Sequence, residues 1–180
     1  MKISKVRFKN NNANYSVLIG LGAIKSLKKQ IDLVCPDTKK VALIFDKKIP
    51  SKLKNTVKKQ VKNYEVYVYQ YSVNEKLKSF KKVNQLNESL LKKNFNRSDL
   101  IIAVGGGVIG DFSGFVASIL KRGINFINLP STLLSQVDAS IGGKTGINSK
   151  QGKNLIGTFY QPKLVISETE FLKSLPRREM

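Results

Sequence analysis

The 180-residue chain contains no histidine, no tryptophan and a single cysteine, and it carries 12 acidic against 32 basic residues. Without an imidazole, no acid–base step and no metal ligation here can use histidine. Cys35 has no partner for an internal disulfide, which fits a reducing compartment, and a cytoplasmic location is expected. No apolar run approaches the roughly 20 residues that cross a bilayer. Near the amino terminus Ile3, Val6 and Phe8 alternate with lysines, a pattern of neither a signal peptide nor a membrane span.

The imbalance of charge leaves a net +20, which raises the question of a nucleic-acid partner. Of the 32 basic residues 23 precede Asp99, so most of the charge sits outside the glycine-rich half. Lys52, Lys54, Lys58, Lys59 and Lys62 surround Leu53, Val57 and Val61, and Lys76, Lys78, Lys81 and Lys82 surround Leu77, Phe80 and Val83. That is the pattern of solvated helix faces. No basic run is interleaved with stacking aromatics, so no specific nucleic-acid partner is expected, only salt-sensitive attraction to polyanions.

What is present is an alternation of strand and helix patterns. Strands are expected at Lys2 to Phe8 and Tyr15 to Ile19, joined by a turn at Asn10, Asn11 and Asn12. Further strands are expected at Lys40 to Phe45, Tyr64 to Tyr69, Leu100 to Val104, Ile124 to Leu129 and Leu164 to Ile166. Helices are expected at Gly22 to Ile31, Pro50 to Lys62, Glu75 to Lys93, beyond Gly107, and from Glu168 to Leu175. Such alternation implies an α/β, Rossmann-like fold with a mostly parallel sheet flanked by helices.

Two regions hold the candidate chemistry. Leu100 to Val104 is an unbroken apolar run that stops at Gly105, Gly106 and Gly107, ahead of Phe112, Phe115, Val116 and Ile119 at helical spacing. A strand turning through glycines into a helix lets backbone N–H groups approach an anion, which reads as a phosphate site. The spacing is not G-x-G-x-x-G, so the standard dinucleotide fingerprint is absent. Asp111 is expected in the first helical turn, where a carboxylate suits the helix dipole. Asp46, just past an apolar strand, is placed either to accept ribose hydroxyls and repel a 2′-phosphate, or to serve as a turn or cap residue. The second region, Val137 to Thr158, sets Asp138, Lys144, Lys153 and Asn154 among five glycines and reads as a functional loop for a polyhydroxylated anion. A solvated surface loop is the alternative, with Ile141, Ile147, Leu155, Ile156 and Phe159 as its anchors to the core.

The segments 105–111, 121–124, 129–134, 137–148 and 152–157, in this order and at these gaps, closely resemble the 3-dehydroquinate synthase family. Asp46 and the pair Glu75 and Lys78 extend the resemblance upstream. The resemblance implies conversion of 3-deoxy-D-arabino-heptulosonate 7-phosphate to 3-dehydroquinate and phosphate, a lyase step of the shikimate pathway that leads to chorismate and aromatic amino acids. It implies a bound NAD, recycled each turnover, and a divalent metal, zinc or cobalt. By motif, Asp46, Glu75, Lys78, Gly106, Gly107, Val108, Asp111, Ser131, Thr132, Lys144, Lys153, Phe171 and Ser174 correspond to cofactor-binding positions. Lys144, Asp138, Asn154 and Arg122 correspond to substrate contacts, Arg122 reaching across a family homodimer. Ser131 and Ser174 stand where threonine is usual, Glu168 where aspartate is, and Asn74 where glycine is common.

On the same resemblance, residues 1–175 form an NAD-binding domain and 176–180 begin a connection to a helical, metal-binding domain. No metal ligand is expected in this chain, which is expected to be catalytically silent by itself. The remaining readings are a related sugar-phosphate cyclase of the valiolone or deoxyinosose type, a metal-dependent polyol dehydrogenase, and a non-enzymatic polyanion-binding module.

Overall fold

Two apolar runs with no polar interruption, Val41 to Phe45 and Leu100 to Val104, build adjacent strands inside a seven-stranded sheet. The computed structural model describes residues 3–10 and 13–176. Most of the Asn10 to Asn12 turn, Lys2, and the segment 177–180 lie outside these residues. The strands are β1 (Ser4–Asn10), β2 (Ala13–Gly20), β3 (Lys40–Asp46), β4 (Glu65–Tyr71), β5 (Leu100–Gly105), β6 (Asn125–Pro130) and β9 (Leu164–Glu168), with β7 (Lys144–Ile147) and β8 (Ile156–Phe159) forming a separate pair. The helices are α1 (Leu27–Val34), α2 (Ser51–Gln60), α3 (Phe80–Lys92) and α4 (Gly107–Ile119).

The sheet order is β1-β2-β9-β6-β5-β3-β4, parallel throughout except for the antiparallel β1–β2 hairpin. The expected mostly parallel sheet is therefore what the chain forms. Every residue of β5 is buried, because helices cover both faces of a central parallel strand. One core holds Val41, Leu43, Phe45, Leu100, Ile102 and Val104 against α1 and α2. The opposite core holds Ala42, Ile44, Ile101 and Ala103 against α3 and α4. The alternation along β3 and β5 is the two-residue period of a strand, apolar on both sides.

From β3 the chain goes outward to β4, then returns to the other side of β3 to lay down β5 and β6. Strand order thus reverses between β3 and β5, and their carboxyl ends open a crevice there, the usual ligand position in open parallel sheets. β6 and β9 pair only at Ile127–Leu164 and Asn128–Val165 and then splay apart. The Gln136 side chain bridges the split, its Nε2 donating to the carbonyls of Pro130 (3.1 Å) and Glu168 (3.0 Å).

Several sequence expectations are corrected. The helix expected from Glu75 to Lys93 is two pieces, a 3-10 turn at Glu75–Leu77 and α3 starting at Phe80. The break falls at Lys78 and Ser79, and Lys78 turns its side chain inward to be buried at 4% exposure, so it is not a solvated lysine. Phe80, read as its apolar neighbour, is exposed. The stretch 168–175 makes only a six-residue 3-10 segment, Thr169–Ser174. The region from Val137 to Thr158 is not an open loop. It contains the antiparallel β7–β8 hairpin, registered Thr145 with Thr158 and Gly146 with Gly157, laid across α4. Glycines of the hairpin and of α4 allow close packing: a Cβ on Gly114 of α4 would collide with Thr145 Cγ2, and one on Gly157 with the Thr145 carbonyl oxygen. Ile147 does anchor the hairpin in the core, but Leu155 and Phe159 are exposed. Among the described residues no helix is long and apolar enough to cross a membrane.

The Gly157 contact is with backbone, which cannot rotate away as a side chain could. Gly157→Ala is expected to cost about 3 kcal/mol of unfolding free energy in urea denaturation. A loss below about 0.5 kcal/mol, the range of an ordinary surface change, would contradict this packing.

Candidate functional site

Each carboxyl end of the parallel strands delivers one wall of the crevice. β3 ends at Asp46, Val73 follows β4, and the glycine turn follows β5. Ser131 and Thr132 follow β6, and Ser174, Leu175 and Pro176 close the side after β9. With Lys48, Ile49, Gly107 and Val108 these residues line a cleft of about 470 Å³, within the range of small-ligand sites. Gly106 is the cap position of α4 in extended backbone, and no side chain caps the helix. The first N–H groups of α4 therefore point, unsatisfied by a cap, toward the cleft floor, where an anion is favoured.

The cradle depends on missing side chains. A Cβ on Gly106 would lie 3.1 Å from Thr132 Cγ2, and one on Gly105 would lie 2.7 Å from the Ile109 Cβ. The Thr132 hydroxyl is spent internally: it sits 2.8 Å from the Ser135 hydroxyl and accepts from the Ser135 N–H at 3.2 Å. Ser131 is buried, with its N–H donating to the Gly105 carbonyl at 2.9 Å, so the turn after β6 is tied to the end of β5. Asp46 fills the turn role read from the sequence and stands at the edge of the cleft. One carboxylate oxygen accepts the Lys48 N–H at 2.9 Å, as in a turn, and the residue still lines the cleft.

A second depression, of about 210 Å³, lies beyond α4 and brings together Asp111, Asp138, Lys144 and Asn154. Three of the four sequence-predicted substrate contacts thus meet in one place. Lys78 lies beneath them: its Nζ donates to Asp111 Oδ2 at 2.5 Å and to the side-chain oxygen of Asn154. Asp111 is one turn further along α4 than expected, outside the first turn, so its charge answers Lys78 rather than the helix dipole. Burial raises the Asp111 carboxyl above its ordinary range, and the Lys78 ammonium partly offsets this. Because its folded value lies above the unfolded one, the stability it contributes is present at low pH and is lost as pH rises through the folded value. Glu75 behaves oppositely, held below its usual range mainly by the hydrogen bond from Asn148, then by Lys153 and Lys78.

Glu75 and Lys153 form an exposed pair at 3.7 Å, away from the cleft lining. Phe171 is fully buried in the core beside α1 and α2, while Ser174, three residues on, does line the cleft. Arg122 sits exposed at the other end of the 13-residue α4, about 20 Å from the glycine turn at helical rise. Sequence reasoning passed over Lys48, Ile49 and Val73 in the cleft, and Gln136 and Asn148 as connectors, and it marked Glu168 only as a replacement for aspartate. Glu168 is buried, its carboxylate accepting the N–H groups of Gly22 (2.9 Å), Ile24 (3.2 Å) and Glu170 (3.1 Å). Nothing in spacing or composition marks these contacts, because each joins segments far apart in the chain. Among the described residues no group of three or more His, Cys, Asp or Glu could hold a metal ion.

The 3-dehydroquinate synthase N-terminal family model matches residues 68–180. The chain belongs to the 3-dehydroquinate synthase family. The 3-dehydroquinate synthase of Pelagibacter ubique (strain HTCC1062) is 48% identical over 180 residues, covering 100% of this chain and 49% of that protein. The enzyme of the same name from Campylobacter fetus subsp. fetus (strain 82-40) is 45% identical over 179 residues, covering 99% of this chain and 49% of its own. The chain therefore spans about half the length of these 3-dehydroquinate synthases. Among solved structures, a 2-deoxy-scyllo-inosose synthase complexed with carbaglucose-6-phosphate, NAD+ and Co2+ superposes with a TM-score of 0.88 at 26% identity, covering 99% of this chain and 49% of that one.

Removing the cation beneath the second depression exposes what it balances. In Lys78→Met the Asp111 carboxyl is expected to titrate still higher by carboxyl NMR, with a stability loss of about 3 kcal/mol at neutral pH that shrinks below the new titration point. An unchanged Asp111 titration would contradict the pairing.

Proposed function

We propose that this chain is the NAD-binding part of a 3-dehydroquinate synthase, with residues 1–175 as the cofactor domain. The observation that carries this reading is the glycine-floored cleft at the reversal of strand order, in a member of this family. Its residues fit a dinucleotide: a Cβ at Gly106 would crowd the floor, and the N–H groups of Gly106, Gly107 and Val108 suit a diphosphate. Asp46 accepts the adenosine ribose hydroxyls and disfavours a 2′-phosphate. The buried Ser131 and the exposed Ser174 offer hydroxyls along the sides of the cleft, and the Thr132 methyl shapes its floor. A bound oxidised nicotinamide supplies a reversible hydride acceptor.

Lys144, Asp138 and Asn154 then face the sugar phosphate, the ammonium toward phosphate or carboxylate and the other two toward hydroxyls. Lys153, Glu75 and Lys78 join these to the cofactor side, with Asp111 neutralising Lys78. Arg122, remote from both depressions, is assigned to the substrate of a second copy in a homodimer. Among the described residues no group of side chains could hold zinc or cobalt. The 2-deoxy-scyllo-inosose synthase likeness supports a related sugar-phosphate cyclase as second reading. The identities, 48% against 26%, favour 3-deoxy-D-arabino-heptulosonate 7-phosphate as substrate.

Calorimetric titration tests the cofactor assignment. The chain is expected to take up NAD+ and to bind NADP+ at least about tenfold more weakly, with Asp46→Ser narrowing that gap. Absence of NAD+ uptake, or equal affinity for the two, would overturn it.

A further inference from the structure

One residue joins the Glu75–Lys78 segment to the 148–154 turn. The Asn148 Nδ2 donates to Glu75 Oε2 at 2.7 Å and to the Glu75 carbonyl at 3.3 Å. Its Oδ1 accepts the Asn154 N–H at 3.0 Å, and its own N–H donates to the Lys78 carbonyl at 2.9 Å. The orientation of the amide follows from its partners, since a backbone N–H needs an acceptor and a carboxylate needs a donor.

These bonds matter because of what they hold. Asn154 has φ 59°, a left-handed conformation that asparagine tolerates better than most residues but still at a cost. Its side-chain oxygen accepts from buried Lys78, and its neighbour Lys153 pairs with Glu75. Asn154 is itself exposed and carries no core packing that could impose its backbone. The conformation is fixed by polar contacts, and Asn148 makes the one that reaches the Asn154 backbone N–H.

We propose that Asn148 is a positioning residue: its side-chain amide clamps the turn carrying Lys153 and Asn154 onto the Glu75–Lys78 segment, and so orients substrate-facing Asn154 relative to the cofactor side. This rests on the functional reading above for the roles of Lys153 and Asn154, while the clamp itself is a statement about this chain. A carboxylate at position 148 would still accept the Asn154 N–H, but it would face the Glu75 carboxylate with like charge. Replacing Glu75 by glutamine reverses the donor and acceptor and restores the pair. A role of bulk or general stability would show no such reciprocity.

The experiment is amide hydrogen exchange by NMR on the full chain. In Asn148→Ala the Asn154 amide is expected to lose about tenfold or more in protection, while the amides of β5 stay unchanged. Asn148→Asp is expected to lose protection, and Glu75→Gln/Asn148→Asp to regain part of it, the bond to the Glu75 carbonyl staying lost in both. Unchanged Asn154 protection in Asn148→Ala would overturn the proposal, and so would a double variant no better than Asn148→Asp. Should Asn148→Ala fail to fold, the comparison of Asn148→Asp with the double variant decides. NAD+ titration of the parent chain separates the two readings, since its failure removes the cofactor assignment and leaves the exchange result standing.

Discussion

A Cβ at Gly105 would lie 2.7 Å from the Ile109 Cβ, and at Gly106 it would lie 3.1 Å from the Thr132 methyl. Backbone can reach a ligand only where side chains do not intervene, and glycine carries a conformational entropy cost that such an approach must repay. At the end of β5 that absence lets the chain turn from a fully buried strand into α4 with its first N–H groups uncapped. The cleft walls are then set by strands whose order reverses at this point. The Ser131 N–H on the Gly105 carbonyl ties the β6 wall to the floor. Gln136 and the buried Glu168 carboxylate hold the β9 wall where β6 and β9 separate.

Electrostatics organises the other side of α4. A lysine at 4% exposure carries a charge that must be met locally, and Asp111 and Asn154 meet it. The same three side chains join α4, the break before α3 and the turn after β7. The acidic partner is raised by burial, so the pair trades stability for the fixed direction of an ammonium group. Most of the other lysines are solvated, and the net +20 says more about surface than about this site.

The parallel sheet was legible because β3 and β5 are buried on both faces and read as continuous apolar runs, while β6 and β9 keep shorter apolar stretches broken at Asn128 and ended at Ser167. Their ends were read to within a residue or two. The β7–β8 hairpin was not legible, since the glycines at Gly114, Gly146 and Gly157 serve close packing, and in sequence they resemble loop punctuation. The break at Lys78 was hidden for a related reason: a lysine flanked by lysines reads as surface, and only the distant Asp111 and Asn154 explain its burial. Of the site residues, Asp46, Gly106, Gly107, Val108, Ser131, Thr132 and Ser174 meet at one cleft, and Asp111, Asp138, Lys144 and Asn154 meet at another. Phe171 and Arg122 line neither, the first being core and the second lying at the far end of α4.

The claim that the glycine turn receives a diphosphate is tested most directly by following backbone amide resonances as NAD+ is added. The account predicts that the amides of Gly106, Gly107 and Val108 shift most, with Ser131 next. Shifts confined to the Lys144–Asn154 side, with the glycine amides unmoved, would contradict it.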